Sequence, residues 1–220
     1  MYKERNLSSF EAVFFLIIAI GINALGMGLT VATNFGSAMW TASAVNIAQF
    51  LNLTLGLVLI IYGVIQIAVN CLLSQMVDYR RIIGNLIVVC FFGMLVAVFT
   101  HFFRLIGVPE LSVTLRVILD IVGTFCVGIG ISISQRINLL LHPWDELTNI
   151  LRFKYFKGDP RKAQIVTFLI PLMIILILFF KTGRIAAVNF GTIFAFCFQG
   201  SVIGWSDNHI HKRLVHRISY

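Results

Sequence analysis

Charge is what this sequence has least of. Charged residues make up 12% of its 220 positions, and only nine residues are acidic. A soluble domain carries roughly a quarter charged residues and about half apolar ones, whereas here 59% are hydrophobic and the mean hydropathy is +0.93. Too little charge remains to cover a particle in water. A soluble enzyme or a nucleic-acid-binding domain is therefore not expected, and the apolar excess excludes a disordered chain. Cysteine is also scarce. Cys71, Cys90, Cys126 and Cys197 lie inside apolar runs, and no spacing pairs them. Reduced, packed thiols are expected rather than a disulfide framework or a zinc site. A Walker loop, a dinucleotide fingerprint, HExxH and a nucleophile elbow are all missing. Nothing then supports hydrolytic enzymology, and no cofactor or metal is expected.

What the chain does have is length of apolar sequence. A helix crossing the hydrocarbon needs about 20 mostly apolar residues. Six segments meet that length, at about 12–33, 54–75, 82–103, 112–135, 163–181 and 185–205. Turn and polar signals separate them, as in Asn34-Phe35-Gly36-Ser37 and Lys157-Gly158-Asp159-Pro160. The fold class expected is all-α: a polytopic membrane helix bundle of six transmembrane helices in one membrane domain. The first segment follows Lys3 and Arg5 but is longer than a signal-peptide core of about 7–15 residues, so it reads as a retained helix.

The net charge of +8 resolves by position. With the N-terminus in the cytoplasm, thirteen of the seventeen Lys and Arg residues fall on that side, at Lys3, Arg5, Arg80, Arg81, Arg136 and within 152–162 and 212–217. Arg104, Lys181 and Arg184 fall on the other side, and Arg116 lies within a span. The positive-inside rule then places both termini in the cytoplasm. The expected partners are the lipid bilayer and its anionic headgroups, not nucleic acid. A basic tail at 207–220, carrying His209, His211 and His216, reads as solvated and near those headgroups. Small bundles of this kind also form homodimers, although no motif here specifies one.

The two halves resemble each other at an offset of 104–107 residues. Gly84-x5-Cys90-Phe91-x-Gly93 matches Gly191-x5-Cys197-Phe198-x-Gly200, and Ala24-x-Gly26 matches Gly128-x-Gly130. Ala38-Met39-Trp40-Thr41 matches His142-Pro143-Trp144-Asp145. Each half, about 10–104 and 111–206, holds three spans and one short segment, at 38–52 and 143–156. An odd number of spans per half implies an inverted repeat, an arrangement found in many secondary transporters. Each short segment reads as an interfacial or re-entrant helix. Residues 147–157, with Leu147, Ile150 and Leu151 on one face and Arg152, Lys154 and Lys157 flanking, favour the interfacial form for the second.

Functional candidates are few. His142-Pro143-Trp144-Asp145-Glu146 is a helix start, with proline where an amide would be orphaned and acids near the positive helix end. Capping explains both acids. Coupling of a cation or proton at Asp145 is the alternative, because apolar Leu139-Leu140-Leu141 keeps this start within the membrane. Arg116 and Asp120 are one turn apart and can pair, or can face a wet cavity. Trp40, Trp144, His142 and Asn23 complete the candidate substrate or ion pathway. Two functions stay open: a small secondary transporter of a small solute, or a non-transporting membrane scaffold or regulatory subunit.

The pattern resembles the YczE/YyaS/YitT family of bacterial integral membrane proteins. Gly36-x-x-Met39-Trp40-Thr41, Pro143-Trp144-Asp145-x-Leu147 and Phe190-Gly191-Thr192-Ile193 with Gly200 carry the resemblance, and Met39 stands where the family pattern has proline. The resemblance implies a multi-pass protein of the bacterial plasma membrane with no assigned biochemical activity. It supplies no catalytic residue.

Overall fold

A computed structural model describes residues 8–75, 77–211 and 214–216, and among these every regular element is helical. Six helices are long: α1 (Ser9–Ala32), α3 (Leu55–Ser74), α4 (Tyr79–Leu105), α5 (Val113–Ile137), α7 (Pro160–Thr182) and α8 (Phe190–His209). Two are short: α2 (Met39–Leu51) and α6 (Pro143–Ile150), the latter extended by a π turn over Leu151–Tyr155. The order long, short, long, long thus occurs twice.

The boundaries follow local chemistry. At α1, the Ser8 hydroxyl accepts from the Glu11 amide while Glu11 accepts from the Ser8 amide, a reciprocal cap that satisfies two orphan donors. Thr54, Asp78, Ser112, Asp159 and Asn189 likewise accept amides at the starts of α3, α4, α5, α7 and α8. Every long helix therefore begins on a side-chain cap. Neither short helix does: Ala38 precedes α2 and His142 precedes α6, and neither side chain caps its helix.

Among the described residues, five helices, α1, α3, α4, α5 and α7, are long and apolar enough to cross a membrane. The sixth expected span, 185–205, falls on α8, which is not among them. Residues 183–189 lie outside any helix, so α8 starts five residues later than the apolar run suggests. Its 20 residues also include Gln199, Ser201, Ser206, Asp207 and Asn208, which lower its hydropathy. The outside of the bundle is rich in large apolar side chains, among them Ile60, Leu72, Phe91, Val98 and Phe180. Water would not tolerate so much of this surface; lipid does.

Helices α1 and α5 form the centre. They run antiparallel, because Gly26 of α1 meets Gly123 of α5 while Gly130 lies against Ala19 and Asn23. Helix α4 packs on α1, and α8 packs on α5. The short helices cross over: α2 packs on α7, and α6 packs on α3. A cluster of Trp40, Leu147, Phe168 and Ile175, with Val69 of α3 packed against it, joins these four elements.

Of the segment 143–156, the first part is packed inside the bundle, while Lys154 and Tyr155 of the π turn are exposed. Leu147, Thr148, Asn149 and Ile150 are all buried, so α6 is covered all round rather than laid flat on a surface. The solvated tail at 207–220 is revised for its described residues. Leu214 packs with Ala12, Leu16 and Ile137, the His211 ring lies 4.7 Å from that of Phe15, and His216 meets Asp207. The other residues of that tail segment, 212–213 and 217–220, lie outside the described set.

Candidate site: a central cavity between the halves

A cavity of about 330 Å³ lies where the two halves meet, and all eight helices contribute to its wall. The uncapped starts of both short helices line it, through Ala38, Trp40 and Thr41 from α2 and Pro143, Trp144 and Asp145 from α6. A helix start leaves several backbone amides without intrahelical partners, so both short helices direct unpaired donors and the positive end of their dipoles toward this region. The rings of Trp40 and Trp144 stack, with centroids 5.2 Å apart and planes 8° apart. Both indole N–H groups are buried without an acceptor. His142 stands between Phe92 and Trp144, with ring centroids at 5.5 and 5.1 Å.

Five of the seven sequence candidates converge here: Asn23, Trp40, His142, Trp144 and Asp145. Asn23 is 6% exposed and its Oδ1 has no partner. The Asp145 carboxylate has no hydrogen-bond or ion-pair partner among the described residues, and it stands in the first turn of α6, beside the positive helix end. Gln164 and Gln199 add amides to the wall.

Asp120 and Arg116 are placed differently. Asp120 is 1% exposed and accepts a hydrogen bond from the Thr33 hydroxyl at 3.2 Å, leaving Oδ2 without a partner. It lines a small cleft that shares Met27, Ser37, Ala38, Val127 and Gln199 with the central cavity. Arg116 donates to the Thr33 carbonyl at 3.3 Å and lies over the Phe35 ring. The expected pairing of Arg116 with Asp120 is therefore replaced by separate contacts to Thr33. The C-terminal turn of α1 supplies both a hydroxyl and a free carbonyl there, and each charged group takes one of them.

Two polar clusters were not foreseen. In the first, Glu146 turns away from the cavity and accepts from Arg81 at 3.0 Å, from Asn85 and from Asn70, which is itself held by Gln66. The signal for it was Asn85 within an apolar run directly after Arg81. In the second, Asp207 accepts from Arg152 and from Ser132, both at 2.6 Å, and lies 3.2 Å from His216 Nε2 and 3.6 Å from Arg136. Arg136 also donates to the carbonyls of Ile210 and His211, fastening the end of α8 to α5. Two basic residues that count toward membrane orientation therefore serve a buried ion pair. Burial alone would raise the Asp207 carboxyl, but the His216 hydrogen bond, the Arg152 guanidinium and Ser132 together hold it at about 2. Burial pushes the His216 imidazole below its ordinary value, and Asp207 only partly offsets this. A neutral ring donating from Nε2 fits, since Nδ1 has no partner.

These features define a helical, membrane-compatible protein built around a central cavity that has apolar walls and a few unpaired polar groups. The chain belongs to DUF6198, a family of unknown function, which it matches over residues 10–208. No curated protein and no solved structure matches it.

Proposed function

We propose that the protein is a small secondary transporter that carries a small solute through the central cavity, its halves related as an inverted repeat. The observation that carries this reading is the cavity itself, walled by every helix, with the starts of both short helices meeting in it. Short helices that begin within a bundle and leave amides unpaired there are a recurring device of transport sites. The antiparallel α1–α5 pair and the crossed packing of α2 on α7 and α6 on α3 support two-fold relatedness. So does the stack of Trp40 on Trp144, which occupy matching positions in the two halves.

On this reading α8 as far as Trp205 is the sixth span. Its low hydropathy comes from an inward polar side, since Thr192, Gln199 and Ser206 are buried while Phe190, Ile193 and Phe198 face out. Both termini then lie in the cytoplasm of a bacterial cell, and the basic loops meet anionic lipid. Kinship with the YczE/YyaS/YitT group, and the absence of enzymatic chemistry, belong to the same proposal.

The test is reconstitution in liposomes with a panel of small solutes. Flux of at least one solute is expected, and Asp145→Asn should stop it at unchanged thermal stability. With the native cysteines replaced, Thr41→Cys and Thr148→Cys should react with an impermeant thiol reagent from either side in turn. Reaction from one side only, with no solute moving, overturns transport and favours a scaffold or regulatory subunit.

A further inference from the structure

Three acids inside the bundle have a side-chain partner among the described residues, and one has none. Glu146 has Arg81 and Asn85, Asp207 has Arg152 and Ser132, and Asp120 has the Thr33 hydroxyl. Asp145 lines the central cavity with no partner among the described residues. It is the one acidic residue in that wall, and no Lys or Arg lines it. A carboxylate held away from bulk water without a counter-charge is costly, and the protein supplies only the partial positive charge of the α6 start to offset it. Asn23 lines the same space, and its buried Oδ1 is an acceptor without a partner. The rest of the wall includes the aromatic rings of Trp40, Trp144, Phe92 and Phe168, whose faces attract cations.

From this we infer that the central cavity binds a small organic ammonium ion with an apolar, ring-sized body. Its N–H groups are received by Asp145 and Asn23, and its body lies among the aromatic side chains. The uncapped helix starts carry about half a positive charge each and by themselves would suit an anion. Asp145 stands in the first turn of α6 and outweighs that end with a full negative charge, so an anionic ligand meets repulsion where it would have to dock. A neutral solute of the same shape leaves the carboxylate unpaired. The inference rests on the transport reading for its physiological meaning but not for its chemistry.

The test uses the full chain in lipid nanodiscs and three probes that share a ring and differ in charge: benzylammonium, benzyl alcohol and benzoate. Calorimetric titration should give benzylammonium an affinity about tenfold or more above the other two. Asp145→Asn should bring benzylammonium down to the level of the alcohol while leaving the alcohol unchanged. Asp145→Glu, which keeps the charge, should retain most of the preference. Stronger binding of benzoate or of the alcohol overturns the inference, as does equal binding of benzylammonium by the wild type and Asp145→Asn. No binding of any probe also overturns it. The wild-type ranking decides the matter even where a variant fails to fold. The two readings fail separately. Benzylammonium bound but never moved across liposomes removes transport and keeps the cation site, whereas flux of a neutral or anionic solute without ammonium binding does the reverse.

Discussion

The rings of Trp40 and Trp144 lie parallel at 5.2 Å, although the two residues belong to different short helices that enter the bundle from different halves. Each residue stands in the first turn of its own uncapped helix, so the stack ties together the two places where the helical backbone is left open.

That contact should be measurable. A double-mutant cycle of Trp40→Phe and Trp144→Phe, read by unfolding in detergent, should give a coupling of about 0.5–1.5 kcal/mol. The same cycle between Trp40 and Trp205, whose ring neighbours are Phe125 and His209, should give none beyond about 0.5 kcal/mol.

The α1–α5 crossing should reject even one methyl group. A Cβ on Gly26 would sit 2.5 Å from the Gly123 carbonyl oxygen, and one on Gly130 would sit 2.7 Å from the Ala19 carbonyl oxygen. These are rigid backbone atoms, so the helices must part. Gly26→Ala and Gly130→Ala should each lower stability by about 1–3 kcal/mol. Gly21→Ala meets no atom within 4 Å, and it should raise stability by up to about 1 kcal/mol through helix propensity. Melting temperatures of the three variants check this.

The two partners of the Arg81–Glu146 pair should not be equivalent. Arg81 is the more exposed of the two, with its side chain 26% accessible against 7% for Glu146. Glu146→Gln lets the arginine turn to water, so a cost of about 1–2 kcal/mol is expected. Arg81→Met strands a buried carboxylate and should cost about 3–5 kcal/mol. Chemical unfolding of the two variants sets the order, and equal costs would count against a buried Glu146.

Acid should loosen the latch between α8 and α5 in two stages. His216 is held below its ordinary value near 6.5 by burial, so the unfolded chain takes up a proton first and stability declines as pH falls below that value. Asp207 is held at about 2 against an ordinary 3.8. Its contribution is fully present above about 4 and is lost as pH falls toward 2. Melting temperature against pH should therefore be flatter between pH 7 and 5 for His216→Gln. Asp207→Asn should lose about 3–5 kcal/mol at neutral pH, because Arg136 and Arg152 lose their carboxylate.

The helices were legible because 20 apolar residues in a row leave few alternatives. Their ends moved by only a few residues, except at α8, where 183–189 proved non-helical. The meeting of Asn23, Trp40, His142, Trp144 and Asp145 was partly legible, since the Trp-containing segments recur at matching positions. What the sequence could not indicate was helix rotation. Asp145 and Glu146 are adjacent carboxylic acids, yet about 100° of helical turn sends one to the cavity wall and the other to Asn85. Arg116 and Asp120 have the spacing of an ion pair, but Thr33 lies closer to hand for both. Asp207 finds Arg152 across 55 residues of chain, a distance over which spacing carries no information.

The crossed packing of α2 on α7 and of α6 on α3 has a consequence for assembly. Each half lends its short helix to the other, so neither half is a complete folding unit and the two are interlocked like clasped hands. Cutting the chain in the turn between α4 and α5, near 106–112, should leave two fragments that are each unstable alone. Produced together, they should clasp into a particle with the thermal stability of the intact chain.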